Sequence, residues 1–209
     1  RRQRQMCIRD RVKDVFVPRH RMLSMRTMSM GQSPGLERNT APVYKMPWGT
    51  IHPSTISSPI VGMAYGAYHA HVEHQGKRVR AAYAGEKAKE DPFAKVRIAE
   101  AASDIDAAWR QLSGNLQAEY DLILAGEEVP MELRLAARRD QVRATGRAIA
   151  AIDLLFENSG AHALENGTPI QRFWRDAHAG RVHAANDPER AYVAFGNGEF
   201  GIPIGDTMV

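Results

Sequence analysis

Cysteine and long apolar runs are what this sequence has least of. Its 209 residues include one cysteine, Cys7, so no disulfide can form within the chain, and we expect a reducing, cytoplasmic compartment. No apolar run approaches the roughly 18 residues of a membrane span, and no signal-peptide pattern is found at the start. With 44% hydrophobic and 25% charged residues, the composition is typical of a soluble globular protein without membrane contact.

A basic field large enough to hold nucleic acid is also missing. The net charge is +4, and residues 1–14 alone contain six basic and two acidic residues, so the rest of the chain has 22 of each. A neutral body cannot extend the phosphate contacts of a short basic arm, and we therefore expect no nucleic-acid partner. We interpret residues 1–11 as a non-native head without a role in function.

The region between the head and the first long helix has little regular pattern. Val12–Val17 has the β-branched and aromatic content of a short strand, which Pro18 ends. Residues 22–53 are then interrupted repeatedly by glycine and proline, and this favours an extended connection. We assign 12–53 to a strand remnant and linker, and 54–209 to one helical domain.

Apolar residues recur every three or four positions through most of that domain, which predicts helices. The predicted helices cover residues 54–75, 92–125, 130–157 and 168–186, with a short one over 187–195. Phe93, Ile105, Trp109 and Leu112 are expected in the core, while Arg138, Arg139, Arg143 and Arg147 are expected on an outer face. Short loops make such helices antiparallel neighbours. The predicted fold is therefore all-α: a four-helix up-down bundle with a short extra helix and an N-terminal arm carrying the strand remnant.

Two groups of residues resemble metal ligands, and both are better explained without a metal. Four methionines between positions 22 and 30 have no accompanying thiolate or histidine cluster, and methionine commonly fills apolar gaps. On a helix, His69 and His71 point about 200° apart, so these two and His74 cannot converge on one ion. We expect these histidines to face solvent or a partner, and we predict no metal site.

The helix predicted over Thr168–Asn186 has two distinct faces. Thr168 suits the N-cap and Pro169 the first helical position. Ile170, Phe173, Trp174 and Ala177 share one arc and should be buried, whereas Arg172, Asp176, Ala179 and His183 share the opposite arc. The second face meets either water or a ligand, and the residues alone leave both possibilities open.

A family resemblance bears on that choice. The run Pro-Ile-Gln-Arg-Phe-Trp-Arg-Asp-Ala-His at 169–178, followed by His183 and by Asp-Pro-Glu-Arg-Ala-Tyr at 187–192, resembles the C-terminal helical region of flavin-dependent monooxygenases built on the acyl-CoA dehydrogenase fold. These are the oxygenase components of two-component aromatic hydroxylases. In that family a phrase similar to residues 14–21 closes the central β-domain, which implies that this chain is truncated.

The resemblance implies an activity, its cofactor and its partners. The complete protein would take reduced flavin, FMN or FAD, from a separate flavin reductase and use dioxygen to hydroxylate an aromatic, phenolic substrate. It would assemble as a homotetramer through the helical domain. The 209-residue chain alone should be inactive, since the missing domains would form much of the flavin pocket.

The resemblance also implies roles for particular residues. His183 would be the substrate-side base, because imidazole titrates near neutrality, with Asp176 or Arg172 as supporting charge. Arg78 and Arg80 would hold the flavin's phosphate end, although the basic loop containing them could equally be a solvated connection. Ser159 and Gly160 would lie in a loop that approaches the flavin of an adjacent subunit. We therefore expect Ser159 and Gly160 to contact the cofactor.

Two other functions compete with this one. Acyl-CoA dehydrogenases share the fold and commonly place a glutamate base in a Glu-Gly pair after a similar Arg-Asp-Ala phrase. Here that region reads Val-His-Ala-Ala-Asn at 182–186, which favours oxygen chemistry. A non-catalytic helical assembly module is the other alternative, because helix bundles host many functions. Flavin retention distinguishes the three classes.

Overall fold

A computed structural model describes residues 13–80, 84–206 and 208–209 of the protein, so the predicted head at 1–11 lies outside the described residues. Helices α1 to α6 span Met25–Ser29, Trp48–Lys77, Pro92–Leu124, Met131–Ser159, Pro169–Arg181 and Pro188–Glu199. Strands β1, Val79–Arg80, and β2, Glu86–Lys87, form a small antiparallel hairpin. Short 3-10 turns cover Arg19–Arg21, Pro34–Glu37, Pro42–Lys45, Ala88–Glu90, Gly160–Leu164 and Ala184–Asn186.

Helices α2 to α5 pack around one apolar core, and α6 packs on α4. Ile60 of α2, Ile105 of α3 and Ile152 of α4 are each at most 1% exposed and meet in this core. Ile170 of α5 joins the same cluster. The predicted all-α bundle with an appended short helix is therefore confirmed. Within the described residues, no helix is both long and apolar enough to cross a membrane.

The buried face of α3 differs from the predicted one. Phe93 and Trp109 are 71% and 49% exposed, so placing them in the core was wrong. Three alanines spaced seven residues apart are buried instead, together with Ile105: Ala94, Ala101 and Ala108. Alanine lets neighbouring helices approach closely, so the small residues face the core and the larger aromatic side chains stay outside.

The predicted starts of α3 and α6 are correct, and both follow the same rule. Asp91 accepts a hydrogen bond from the backbone N–H of Phe93 at 2.9 Å, and Asp187 accepts one from Glu189 at 3.1 Å. In each case proline occupies the first helical position, where its missing N–H costs no hydrogen bond. The start of α2 was predicted too late, since the helix begins at Trp48 and contains Pro53 and Pro59.

The N-terminal arm does not form the predicted strand. Residues 15–17 belong to no strand or helix in the described part of the chain, and Phe16 is 88% exposed. A single strand leaves its backbone groups unpaired and is unstable alone, so the strand assignment over the described part of Val12–Val17 was wrong. Val12 itself lies outside the described residues.

One buried carboxyl lies at the end of the bundle where the arm meets the helices. Glu119 of α3 is fully buried and accepts a hydrogen bond from the Thr50 hydroxyl of α2 at 3.0 Å. Burial raises the pKa of Glu119 to about 7, against the lowering effects of the Thr50 hydrogen bond and the charge of Arg134. Arg134 in turn donates to the backbone oxygen of Ser29 at 2.9 Å, which ties the arm to α4.

Candidate functional site

The hairpin and the end of α4 enclose an open cleft of about 720 Å³. Arg78, which follows α2, and Arg80 on β1 line one side, and Asn158 and Gly160 at the end of α4 line the other. Phe93 contributes an exposed aromatic ring at the rim. Three of the four residues predicted to contact a flavin, Arg78, Arg80 and Gly160, therefore meet in one cleft.

The side chain of Arg78 lies directly on the backbone at the end of α4. Its Nη1 donates to the carbonyl oxygen of Asn158 at 2.9 Å, and the buried Gln75 amide donates to the same oxygen at 2.8 Å. Gly160 has φ +65°, and a Cβ there would lie 2.6 Å from Nη2 of Arg78. The backbone conformation favours glycine at this position, and a side chain there would also displace the guanidinium of Arg78.

Arg80 is held differently from Arg78. Its Nη1 lies 2.6 Å from a carboxylate oxygen of Asp91, and both side chains are largely buried. Asp91 also caps α3, so this ion pair joins the hairpin to the next helix. The contacts of Arg80 include a carboxylate, whereas the hydrogen bond of Arg78 goes to a neutral carbonyl. Arg78 therefore keeps more of its charge available for an anion.

Ser159 lies inside the bundle instead of on the cleft wall. Its side chain is 1% exposed and donates to the carbonyl oxygen of Leu155 at 2.9 Å. Because that bond uses the hydroxyl proton, the contact of 2.8 Å with Nδ1 of His71 requires the imidazole to be the donor. Burial, reinforced by the charges of His74 and Arg78, lowers the pKa of His71 to about 4.

The expectation that all three helical histidines face solvent or a partner was wrong. His71 is fully buried, and the ring of His74 stacks on His162 with centroids 4.0 Å apart. His69 alone of the three is exposed. Among the described residues, no group of three or more histidine, cysteine or acidic side chains could hold a metal ion.

The predicted helix over Thr168–Asn186 is too long, because α5 ends at Arg181. The Asn186 amide donates to the carbonyl oxygen of Gly180 at 3.0 Å and so satisfies a group at the helix end. Arg138 donates to the carbonyl oxygen of Ala185 at 2.7 Å. Arg138 is 3% exposed, so the prediction that it lies on an outer face was also wrong.

His183 therefore does not lie on the helix face that was predicted for it. It lies in extended conformation after α5, whereas Arg172 and Asp176 remain on the helix. Asp176 is 3.4 Å from Nε of Arg175, and the guanidinium of Arg172 lies 5.5 Å from the centre of the Phe173 ring. Within the described residues, no hydrogen bond or ion pair joins His183 to either of them.

Sequence reasoning missed the closest aromatic neighbour of His183. The rings of His52 and His183 meet edge to face with centroids 6.1 Å apart. His52 also stacks on Trp48 at 4.6 Å, one helical turn earlier. Burial first, and then the charge of His183, lower the pKa of His52. The Trp48–His52 spacing was a usable signal, but the predicted helix did not include these residues.

Comparisons with known proteins agree with this architecture. Residues 54–188 match the family model described as acyl-CoA dehydrogenase, C-terminal domain. The chain is 82% identical over 198 residues to the flavin-dependent monooxygenase, oxygenase subunit HsaA, of Rhodococcus jostii (strain RHA1), covering 95% of this chain and 52% of that protein. It is 29% identical over 198 residues to the p-hydroxyphenylacetate 3-hydroxylase, oxygenase component, of Acinetobacter baumannii, covering 94% of this chain and 46% of that one.

A solved structure shows the same arrangement. The crystal structure of 3-HSA hydroxylase from Rhodococcus sp. RHA1 superposes with a TM-score of 0.88 at 82% identity, over 95% of this chain and 51% of that chain. The chain thus spans about half the length of the relatives that it matches.

Proposed function

The chain belongs to the acyl-CoA dehydrogenase C-terminal domain family, and on that premise we propose that it is part of the oxygenase component of a two-component flavin-dependent monooxygenase. The reaction is hydroxylation of an aromatic, phenolic substrate with reduced flavin and dioxygen. The observation that carries this proposal is the 82% identity over 198 residues with an oxygenase subunit of that type. The compound called 3-HSA in the name of the similar crystal structure is the first substrate to test.

We propose that the arginine side of the cleft, whose lining also includes Glu86, Asp91 and Glu157, holds the phosphate end of a flavin. The guanidinium of Arg78 donates to the neutral carbonyl of Asn158, so its charge is not neutralised by that contact. A guanidinium can donate two parallel hydrogen bonds to two oxygens of one phosphate. Arg80 would add to the electrostatic field in the cleft, and its ion pair with Asp91 would make the cleft wall rigid. Reduced flavin, FMN or FAD, supplies the electrons that activate dioxygen when it is bound. Gly160 leaves room for the Arg78 guanidinium, since a Cβ there would lie 2.6 Å from Nη2.

On the substrate side we propose that His183 contacts the phenol, with Asp176 and Arg172 of α5 as supporting charge. His183 and Asp176 are half-buried, while Arg172 is exposed and open to a neighbouring surface. The partners are a flavin reductase and further copies of the same subunit in a homotetramer. The exposed Phe93 and Trp109 of α3 offer apolar surface for such contacts. The compartment is the cytoplasm.

Flavin binding tests this proposal. In a longer protein that carries this chain, Arg78→Ala should weaken anaerobic binding of reduced FMN or FAD about 10- to 100-fold, since a charge-assisted hydrogen bond is lost. Binding of reduced riboflavin, which has no phosphate, should change little. Arg110→Ala on the exposed side of α3 is the matched control.

The outcomes separate the competing functions. Retention of oxidised FAD that is bleached by an acyl-CoA would identify a dehydrogenase, and failure of the longer protein to bind any flavin would favour an assembly module. Hydroxylation of a phenol by the 209-residue chain alone would contradict the expectation that it lacks part of the flavin pocket.

A further inference from the structure

The turn after α5 determines which nitrogen of His183 carries the ring proton. The backbone N–H of Ala185 donates to Nδ1 of His183 at 3.1 Å. A backbone amide can only donate, so Nδ1 must offer its lone pair. In the neutral imidazole the single proton then lies on the other nitrogen, Nε2.

Buried side chains hold this turn in place from below. Arg138 donates to the carbonyl oxygen of Ala185 at 2.7 Å. Asn186 is 4% exposed, donates to Gly180 and accepts a hydrogen bond from the amide of Gln141 at 2.9 Å. The hydroxyls of Ser57 and Thr145 contact the same Asn186 oxygen at 3.1 and 3.3 Å. Ser57 of α2 and the α4 residues Arg138, Gln141 and Thr145 thus tie the turn to the bundle core, and Gly180 ties it to the end of α5.

The opposite side of the ring is also restrained. His52 lies edge to face against His183, and its own ring is fixed by stacking on Trp48. The only hydrogen bond to the His183 ring in the described part of the chain is the one from Ala185. Turning the ring over would therefore leave the Ala185 N–H without its acceptor, and an unpaired amide in a half-buried turn is unfavourable.

We propose that His183 is held as the Nε2–H tautomer and that it serves the hydroxylation as a hydrogen-bond donor to the phenolic oxygen of the substrate, with Arg138 and Asn186 as positioning residues. This inference rests on the proposed function for its substrate, but the tautomer itself does not. It replaces the expected role of His183 as a base, because a neutral Nε2–H imidazole has no lone pair on that nitrogen with which to accept a proton.

The tautomer can be measured on the 209-residue chain without activity. Long-range proton–nitrogen correlation spectra distinguish a protonated from an unprotonated ring nitrogen, and His183→Gln identifies the signals. We expect Nε2 protonated and Nδ1 unprotonated at pH 8. In Asn186→Ala, which frees Gly180 and loosens the turn, we expect both tautomers to appear. Circular dichroism and the melting temperature show whether that variant still folds. An Nδ1–H tautomer in the wild-type chain would overturn the proposal.

Hydroxylation by a longer protein carrying this chain tests the donor role. The amide of His183→Gln can still donate from nearly the same place but cannot act as a base, whereas His183→Leu can do neither. If His183 acts as a donor, the glutamine variant should hydroxylate at least about ten times faster than the leucine variant, as expected for one retained hydrogen bond. Equal loss in both variants would overturn it. Unchanged turnover in both would also overturn it, while the Arg78 binding assay would still judge the proposed function separately.

Discussion

Replacement of the buried Glu119 by glutamine should remove a pH-dependent loss of stability. The side chain is fully buried and accepts a hydrogen bond from the Thr50 hydroxyl. Its second oxygen has no hydrogen-bond partner within the described residues. Glu119→Gln keeps the acceptor for Thr50 and nearly the same volume, and it cannot ionise. The substitution therefore tests the ionisation of one group with little change in packing.

The direction and size of the effect follow from the raised pKa. An ordinary glutamate releases its proton near 4.5, whereas Glu119 keeps it up to a pKa of about 7 in the folded protein. Between these values the folded state binds more protons, so the contribution of Glu119 to stability is full below pH 4.5 and is lost as pH rises through 7. The difference amounts to about 3 kcal/mol when fully expressed.

Urea unfolding at pH 4.5, 6 and 8 would measure this. We expect Glu119→Gln and wild type to have similar free energies of unfolding at pH 4.5, and the variant to be more stable by up to about 3 kcal/mol at pH 8. Glu100→Gln, at an exposed position on the same helix, should give no such trend. A glutamine variant that is less stable than wild type at pH 8 would show that ionised Glu119 is stabilised, by Arg134 for example, and would refute the reasoning.

Two further stability predictions follow from the same bundle. Gly66→Ala would place a Cβ 2.5 Å from the Phe173 ring, so urea unfolding should show a loss of about 1–3 kcal/mol. Gly62→Ala, with nothing within 4 Å, should instead gain up to about 1 kcal/mol; equal effects would contradict this packing. The pKa of His71 is lowered to about 4 in the folded protein, so the free energy of unfolding should decrease as pH falls below 6.5. His71→Asn in a Glu119→Gln background should reduce this decrease.

The ends of helices were predictable where a local hydrogen bond decides them. Helices α3 and α6 start at Asp91-Pro92 and Asp187-Pro188. In each pair the aspartate accepts a hydrogen bond from a backbone N–H, and the proline has no N–H that needs an acceptor. These signals lie within four residues of chain and depend on nothing distant. The start of α2 is different, because Gly49 packs against the backbone of Val209, where a Cβ would lie 2.8 Å away. A local sequence pattern cannot predict a contact between residues so far apart in the chain.

Burial was harder to predict than helix position. Periodicity gives the angle between two side chains on a helix but not which arc the neighbouring helices cover. His71 and Arg138 are polar residues that the bundle covers, whereas Phe93 is an aromatic residue that it leaves open. Each buried polar group found a partner on a different element, Ser159 for His71 and Ala185 for Arg138. The packing of α4 against α2 brings His71 and Ser159 together, and the packing of α4 against the turn after α5 does the same for Arg138 and Ala185.

The same limit explains why the site was predicted in its composition but not in its geometry. Arg78, Arg80 and Gly160 were chosen from a family resemblance, and their meeting in one cleft required the hairpin, which is closed by the Arg80–Asp91 ion pair. His183 was chosen for its place on a helical stripe that it does not occupy, since α5 ends at Arg181. Extending α5 through Ala185 would break the hydrogen bond from Asn186 to Gly180, and that bond depends on the buried polar partners of Asn186. The position of the imidazole is therefore set by the core of the bundle, and substitutions in that core should change the chemistry of His183 even where they do not touch it.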